Sequence, residues 1–472
     1  MKVTENWIEE GRKPCRGKGY PQRDSAEHEG YAEVLTGKRI IENNNTNINS
    51  SKAGLLEEIL SSQNLNNAYR QVKRNKGAHG VDGMGVEYLL KHLKDNGEEL
   101  RKSIREGRYR PKPVRRVEIP KEDRRKRTLG IPTVIDRVVQ QATTQVLTPI
   151  FEEQFCETSY GFRPRRNAHM ALQKCIEYAD EGYRYVVDMD LEKFFDKVNQ
   201  SKMIEIISRT VKDGRVISLI HRCLRAGAEE NGEYIKTEQG LAQGGNISPL
   251  CSNIMLNELD HELESRGIRY VRYADDVVLF AKSKRAAQRI FEHIVPYIEK
   301  KLFLRVNKEK SSVGYIGKIK FLGYGFYPSK MGMKLRVHPE STKKLKAKVK
   351  EITARSGGIG YDVLKARLKR YITGWINYFK LADVKKQLMH IDAWLRRRIR
   401  AFIWKRWKKV QTKTKMLKKL GFNNNDAYMY ARTRKGYWRI SGSPFLSKAI
   451  TNDRLKLAGY VNFTSCYEAV KI

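Results

Sequence analysis

The chain has 472 residues, 40% of them hydrophobic, which is enough to bury a sizeable core spread over two or three domains. Lys and Arg outnumber Asp and Glu by 93 to 53, a formal net charge of +40. Such an excess repels itself unless a polyanion relieves it, so nucleic acid is the first candidate partner and an anionic membrane surface the second. The membrane is disfavoured: no apolar run approaches the length of a spanning helix, and no charged start followed by an apolar stretch marks a secretion signal. The six cysteines are scattered without a Cys-x-x-Cys pair, which argues against a zinc module or a disulfide scaffold and fits a reducing cytoplasm.

In chain order, residues 1–52 are polar and end in an Asn-rich run, the composition of a flexible extension. Helical spacing begins at Leu55 and continues through Ile59, Ala68 and Val72. From Arg110 to Phe326 strand-like and helix-like segments alternate, an α+β pattern. Arg115–Ile119 and Thr128–Ile131 read as a basic hairpin, Asp136–Leu147 as a helix and Tyr185–Asp190 as a short strand ending in acid. Ile204–Leu224 reads as one helix, Tyr270–Phe280 as two strands broken at Ala274-Asp275, and Phe321–Phe326 as a further strand.

Beyond Lys334 the pattern turns helical and basic. Residues 341–420 hold 25 Lys/Arg against 4 Asp/Glu, more than half of the net charge. Leu388, Ile391, Leu395, Ile399 and Phe402 have helical spacing, so one side is expected to pack. The other faces carry Arg396, Arg397, Arg400, Lys405, Lys408 and Lys409 and are expected to meet phosphates.

Four elements carry chemistry. Tyr273-Ala274-Asp275-Asp276 sets adjacent acids between two apolar strands, which is costly unless a metal or a cation balances them. Val186-Val187-Asp188-Met189-Asp190 brings further acid to a strand end; Asp188 and Asp190 share a face, so spacing alone does not choose between them. In Gly240-Leu241-Ala242-Gln243-Gly244-Gly245-Asn246-Ile247-Ser248-Pro249, the glycines permit close backbone approach, Gln243 can hydrogen-bond a nucleotide, and Ser248-Pro249 reads as a helix start with Ser as N-cap. The basic hairpin from Lys121 to Arg127 suits a triphosphate. Carboxylates held on strand ends are what a two-metal nucleotidyl transfer site requires, because Mg²⁺ prefers oxygen ligands.

These blocks, in this order, resemble the fingers and palm of a group II intron reverse transcriptase, or intron-encoded maturase. The resemblance runs from about Leu55 to Ile472 and includes Arg116–Lys121, Leu129-Gly130-Ile131-Pro132-Thr133, Tyr160-Gly161-Phe162-Arg163-Pro164, the acid blocks, Gln243-Gly244-Gly245 and Phe321-Leu322-Gly323-Tyr324. Past the palm, Gly374-Trp375-Ile376-Asn377-Tyr378-Phe379 resembles the maturase signature.

The resemblance implies a right-hand polymerase fold: a flexible 1–52, fingers and palm over 53–330 with an N-terminal helical extension, a three-helix thumb/maturase domain over 331–410, and a small basic nucleic-acid-binding domain over 411–472. It implies RNA-directed DNA polymerisation with two Mg²⁺ ions. The metal ligands would be Asp190, Asp275, Asp276 and the backbone carbonyl of Leu191, with Asp188 left to a local hydrogen bond. Phe195 would be the steric gate against a ribose 2′-hydroxyl. Lys121, Arg127 and Gln243 would hold the incoming deoxynucleoside triphosphate. The implied partners are the parent intron RNA, an RNA template with a DNA or RNA primer, and target DNA, in the cytoplasm and without a membrane. The chain departs from the family in reading Leu241-Ala242 where relatives have Thr-Pro, in its charged fingertip turn Glu122–Lys126, and in having no C-terminal nuclease motif, as in the compact class C lineage. Two other readings are a non-catalytic RNA-binding maturase and a reverse transcriptase of host defence or DNA repair.

Overall fold

The computed structural model describes residues 54–120 and 126–471. The expectations for residues 1–52 and for Lys121 therefore lie outside the described residues. The chain divides between Phe321 and Leu322 into two compact units.

The first unit opens with helices α1 (Leu55–Ile59), α2 (Ser62–Asn75) and α3 (Leu89–Arg105). The spacing expected over Leu55–Val72 is thus two helices, because the Ser61 side chain caps α2 by accepting from the Asn64 N–H at 3.2 Å. Strands β1 (Val114–Pro120) and β2 (Lys126–Ile131) form the basic hairpin, with Arg116 opposite Gly130 and Ile119 opposite Arg127. Helix α4 (Val134–Glu152) is capped by Thr133 and largely buried, and α5 (Ala168–Asp180) follows. After β3 (Tyr185–Met189) comes the short α6 (Phe194–Lys197). The segment read as one helix over Ile204–Leu224 is two, α7 (Gln200–Thr210) and α8 (Gly214–Leu224). Asp213 breaks it by capping α8, its carboxylate accepting from the Arg215 N–H at 3.0 Å. Strands β4 (Ala228–Glu230) and β5 (Glu233–Ile235) precede α9 (Ser248–Ser265), β6 (Arg269–Tyr273), β7 (Asp276–Ala281), α10 (Lys284–Lys301) and β8 (Ser312–Tyr315).

Two four-stranded sheets result, with orders β2-β1-β4-β5 and β6-β7-β3-β8. In the second, β3 lies antiparallel between β7 and β8, with Asp188 opposite Val278 on one side and Ser312 on the other. Helices α4, α7, α8, α9 and α10 contribute to the apolar core that β3, β6 and β7 share. That core holds β3, β6 and β7 in one layer, so two strand ends carry acid at the same edge.

The second unit begins with the hairpin β9 (Tyr324–Ser329) and β10 (Gly332–Val337), so the strand expected from Phe321 starts three residues later. Helices α11 (Pro339–Ile352), α12 (Tyr361–Phe379), α13 (Lys385–Arg406), α14 (Val410–Lys419), α15 (Asn424–Ala431), α16 (Tyr437–Ser441), α17 (Pro444–Ala449), α18 (Asn452–Leu457) and α19 (Phe463–Lys471) complete it. Two sequence blocks meet here. The Tyr324 ring lies 5.0 Å from Phe379, the Tyr378 hydroxyl donates to the Leu322 carbonyl at 2.9 Å, and a side chain at Gly323 would press on Ser341 and Phe379. Helix α19 packs on α12 and α13: Trp375 meets Phe463 edge-on, and Asp392 accepts the N–H groups of Phe463 at 2.8 Å and Thr464 at 2.9 Å. The boundary expected at 410/411 falls inside this compact unit, and the one expected at 330/331 lies nine residues past the observed division. Among the described residues no helix is long and apolar enough to cross a membrane.

Candidate active site

The turn joining β6 to β7 is two residues long, Ala274-Asp275, with Tyr273 paired to Asp276. Ala274 takes a positive φ of 57°, a position in a two-residue hairpin that usually falls to glycine. Three supports hold this strained turn. The Arg272 guanidinium, fully buried, donates to the Ala274 carbonyl at 3.1 Å and to Asn253 Oδ1 at 3.0 Å. Asp260, also fully buried, receives Arg272 Nε at 2.9 Å on both oxygens. Gly161 lies so close to the turn that a Cβ there would collide with the Tyr273 and Ala274 backbone, and its carbonyl accepts from Asn253 at 2.8 Å. Arg163, bonded to Glu152 and to the carbonyls of Phe155, Cys156 and Ser159, staples the loop that presents Gly161. Buried charges paired and hydrogen-bonded in this way over-determine a conformation that would otherwise relax.

Asp190 follows directly on β3. Its N–H donates to Ser311 Oγ at 3.1 Å, and its carbonyl accepts from the Asn307 N–H at 2.9 Å. Lys310 reaches its carboxylate, Nζ to Oδ2 3.6 Å. The Leu191 side chain is buried directly after Asp190. The acids of the two strands act on one another. Burial, and then the neighbouring Asp190, pushes Asp188 up to about 6. Enclosure by the surrounding protein, followed by repulsion from Asp275, Asp188 and Asp190, pushes Asp276 up to about 7, with Lys320 opposing. Asp276 is nonetheless open to solvent, so the carboxylate crowding is the firmer cause. Asp275 is also raised, by burial first, while Arg127 draws it down. The Asp188 carboxylate makes no side-chain hydrogen bond among the described residues, contrary to the local bond expected for it; it stands as a fourth acid of the cluster. Carboxylate oxygens that repel one another suit a hard divalent cation.

The remaining expected residues surround this cluster. Arg127, on β2, is near enough to Asp275 to act on it electrostatically. Phe195 is half-buried, its ring edge-on to Phe194 at 5.3 Å. The glycine loop docks on the same short helix: the N–H groups of Gly240 and Leu241 donate to the carbonyls of Val198 at 2.7 Å and Phe195 at 2.6 Å. The Gln243 carbonyl accepts from the Gly130 N–H at 2.9 Å, tying the loop to β2. The Ala242 carbonyl is pinned by the Gly245 N–H at 3.0 Å and by Ser248 Oγ at 2.7 Å. Ser248 is therefore one position inside α9, whose N-cap is Ile247, and its hydroxyl closes the loop instead of capping the helix.

The basic helix differs from its expectation. In α13 the expected packing residues Leu388, Ile391, Leu395, Ile399 and Phe402 are all buried, but the six residues Ile399–Trp404 are buried together, so over that stretch the helix is enclosed on every side. Arg400 is buried, donating to the Ile450 carbonyl at 2.8 Å and Asn452 Oδ1 at 3.0 Å. Arg397 stacks 4.1 Å over the Trp438 ring and donates to its carbonyl at 3.1 Å. These two arginines brace the unit from within. Arg396 and Lys405 are half-buried, and Lys408 and Lys409 are exposed.

Residues 119–326 match the reverse transcriptase (RNA-dependent DNA polymerase) model, and residues 342–421 match that of the group II intron maturase-specific domain. Protein YkfC of Escherichia coli K12 is 34% identical over 302 residues, covering 56% of this chain and 79% of that protein. Group II intron-encoded protein LtrA of Lactococcus lactis is 30% identical over 408 residues, 71% of this chain and 65% of LtrA. The chain belongs to the group II intron reverse transcriptases. It spans just under two thirds of LtrA and 27% of the putative COX1/OXI3 intron 2 protein of Saccharomyces cerevisiae, 30% identical over 236 residues. The family's reverse transcriptase domain is a divalent-metal-dependent nucleotidyltransferase of α+β fold, matching the mixed helices and sheets of residues 54–321. Arg272, Asp260 and Asn253 had no signal in the sequence, because they meet only through α9 packing on β6.

Proposed function

We propose that the chain extends a primer with deoxynucleotides on an RNA template, and binds its parent intron RNA to assist splicing and mobility. The observation that carries the reading is the cluster of Asp190, Asp275 and Asp276 at one edge of the palm sheet, acting on one another and facing Arg127. A chain that only bound RNA would gain nothing by gathering repelling acids from the end of β3 and from a braced turn.

In this reading Asp190, Asp275, Asp276 and the Leu191 carbonyl hold two Mg²⁺ ions, with Asp188 a neighbouring acid behind them. Held there, such ions would supply activation of a primer 3′ oxygen and charge neutralisation for a departing pyrophosphate. Arg127, together with Lys121 outside the described residues, holds the triphosphate by its fixed charge. Phe195 lies under the sugar and Gln243 beside the nucleotide. The glycine loop, docked on α6, keeps Phe195 and Gln243 in register. Lys408 and Lys409, with Arg396 and Lys405, supply phosphate contacts to the intron RNA.

Primer extension with Mg²⁺ tests the acids: Asp275→Asn and Asp190→Asn each lower the rate by about a thousandfold, the scale of losing a preorganised charge partner, without loss of folding. Either variant retaining activity within about tenfold of the parent sinks the assignment. Phe195→Ala admits ribonucleotides while still adding deoxynucleotides; unchanged sugar discrimination in single-nucleotide incorporation places the gate elsewhere.

A further inference from the structure

Within the second unit, α11, α13 and α16 enclose a cavity of about 390 Å³ that has no part in the chemistry of the palm. Its wall includes Lys350, Thr353, Arg355, Trp394, Arg398 and Trp438, and no carboxylate. Each indole is braced by an arginine of α13: Arg397 lies 4.1 Å over Trp438, and Arg398 lies 5.3 Å from the Trp394 ring centre. Arg398 is itself fixed, donating to the Lys350 carbonyl at 3.0 Å and to the Thr353 hydroxyl. Arg355 stands exposed, 5.9 Å over Tyr437. Neither Lys350 nor Arg355 has an acidic partner among the described residues. Burial, and then repulsion from Arg355, lowers the pKa of Arg398, so the cations gather against their own electrostatic preference. A concave site of this size with flat aromatic walls and unbalanced positive charge matches a ligand that is planar at one end and anionic at the other.

We propose that this cavity takes one unstacked nucleotide of single-stranded RNA, its base against the indoles and its phosphate among Lys350, Arg355 and Arg398. Duplex bases are stacked on both faces and cannot reach an indole, so the site reads strandedness and not sequence. The inference rests on the reading that this unit holds RNA, and it adds a site that selects loops or bulges over helices. Trp394, half-buried at the cavity wall, is the stacking surface that can be removed with least disturbance.

The test uses the full chain, a short unstructured RNA oligonucleotide and a blunt RNA duplex of equal phosphate count. Trp394→Leu weakens the single strand by about tenfold and the duplex by less than about twofold, the scale of one lost base stack. Trp394→Phe restores most of the loss, and AMP competes with the oligonucleotide where inorganic phosphate does not. Equal weakening of both RNAs, an unchanged single-strand affinity, or competition by phosphate equal to that by AMP overturns the proposal. Should Trp394→Leu fail to fold, exposed Arg355→Gln decides: it weakens the single strand more than the duplex, or the cavity is not the site. Primer extension by the parent is measured alongside. A parent that binds both RNAs without extending a primer refutes the polymerase reading alone, and a parent that binds neither refutes the RNA-binding one.

Discussion

The palm turn and helix α13 are both rich in charge, yet they use it in opposite ways. At the turn, buried Arg272 and Asp260 neutralise one another so that Asp275 and Asp276 can stand unbalanced at the sheet edge. Along α13, arginines that a charge count assigns to the exterior turn inward: Arg400 ties α13 to residues 450–452, and Arg397 braces α16. Excess charge therefore marks function only where the structure leaves it unpaired. Arginine's planar fork and long stem make it as useful for satisfying buried carbonyls as for holding phosphate.

The sharpest way to break the comparison is to remove the neutralising pair behind the turn. Arg272→Met leaves Asp260 charged and unpaired in the core, which costs about 3–5 kcal/mol. Adding Asp260→Leu recovers most of that stability, since an apolar pair replaces a buried ion pair at little net cost. The double variant still lacks the bond from Arg272 to the Ala274 carbonyl, so primer extension stays depressed although folding returns. Chemical denaturation and extension rates measured on the same samples check this. Full activity in the double variant shows that the turn holds itself, and a loss below about 1 kcal/mol in the single one shows that the pair is not buried as described.

On α13 the contrast is between Arg400→Glu and the pair Lys408→Glu with Lys409→Glu. Reversing Arg400 sets a carboxylate against the Ile450 carbonyl inside the unit and costs roughly 3 kcal/mol or more. Reversing the two exposed lysines changes stability by less than about 0.5 kcal/mol. It nevertheless weakens intron RNA binding and flattens the dependence of affinity on salt, by about one counterion for each phosphate that is no longer neutralised. Thermal unfolding and RNA titrations at several salt concentrations separate the two. Should Arg400→Glu fold like the parent and lose RNA affinity, Arg400 faces the RNA after all.

What could be read from the sequence follows the same division. The β6–β7 break at Ala274-Asp275, the hairpin of β1 and β2 and the acid ending β3 are local patterns, and the observed strands reproduce them within a residue or two. Family resemblance chose Asp190 over Asp188, yet both carboxylates lie in the cluster, because β3 holds them near one strand end. Support for the turn was invisible: Arg272 finds Asp260 and Asn253 only when α9 packs beneath β6, and no spacing encodes that. The helical period of α13 was real, but period says nothing of how many neighbours enclose a helix. Six consecutive buried residues follow from α16–α19 packing back on the thumb, a long-range arrangement absent from local pattern.

The smallest expected effect tests whether the palm acids are unbalanced at all. Asp276 is pushed up to about 7 and Asp188 to about 6 from an ordinary value of 3.8, so in the fold both take up protons at a pH where the unfolded chain has released them. Their contribution to stability is therefore greatest below the ordinary carboxylate value of 3.8, falls as pH rises from there, and is lost by about pH 7, when both carboxylates are ionised and repel. A divalent cation works in the opposite sense: it binds the ionised acids, must displace the protons, and relieves the repulsion. The rise in Tm on adding Mg²⁺ is then larger at pH 8 than at pH 6, and binding at pH 6.5 releases protons that calorimetry in buffers of different ionisation enthalpy detects. Asp276→Asn removes the group raised furthest, so its Mg²⁺-dependent Tm increment is smaller and nearly level with pH. An increment equal at both pH values in the parent, or a slope unchanged in Asp276→Asn, means that these carboxylates are already neutralised within the protein. Lys310, beside Asp190, and Lys320, acting on Asp276, would then be the groups that balance them, and the palm would resemble α13 in spending its charge internally.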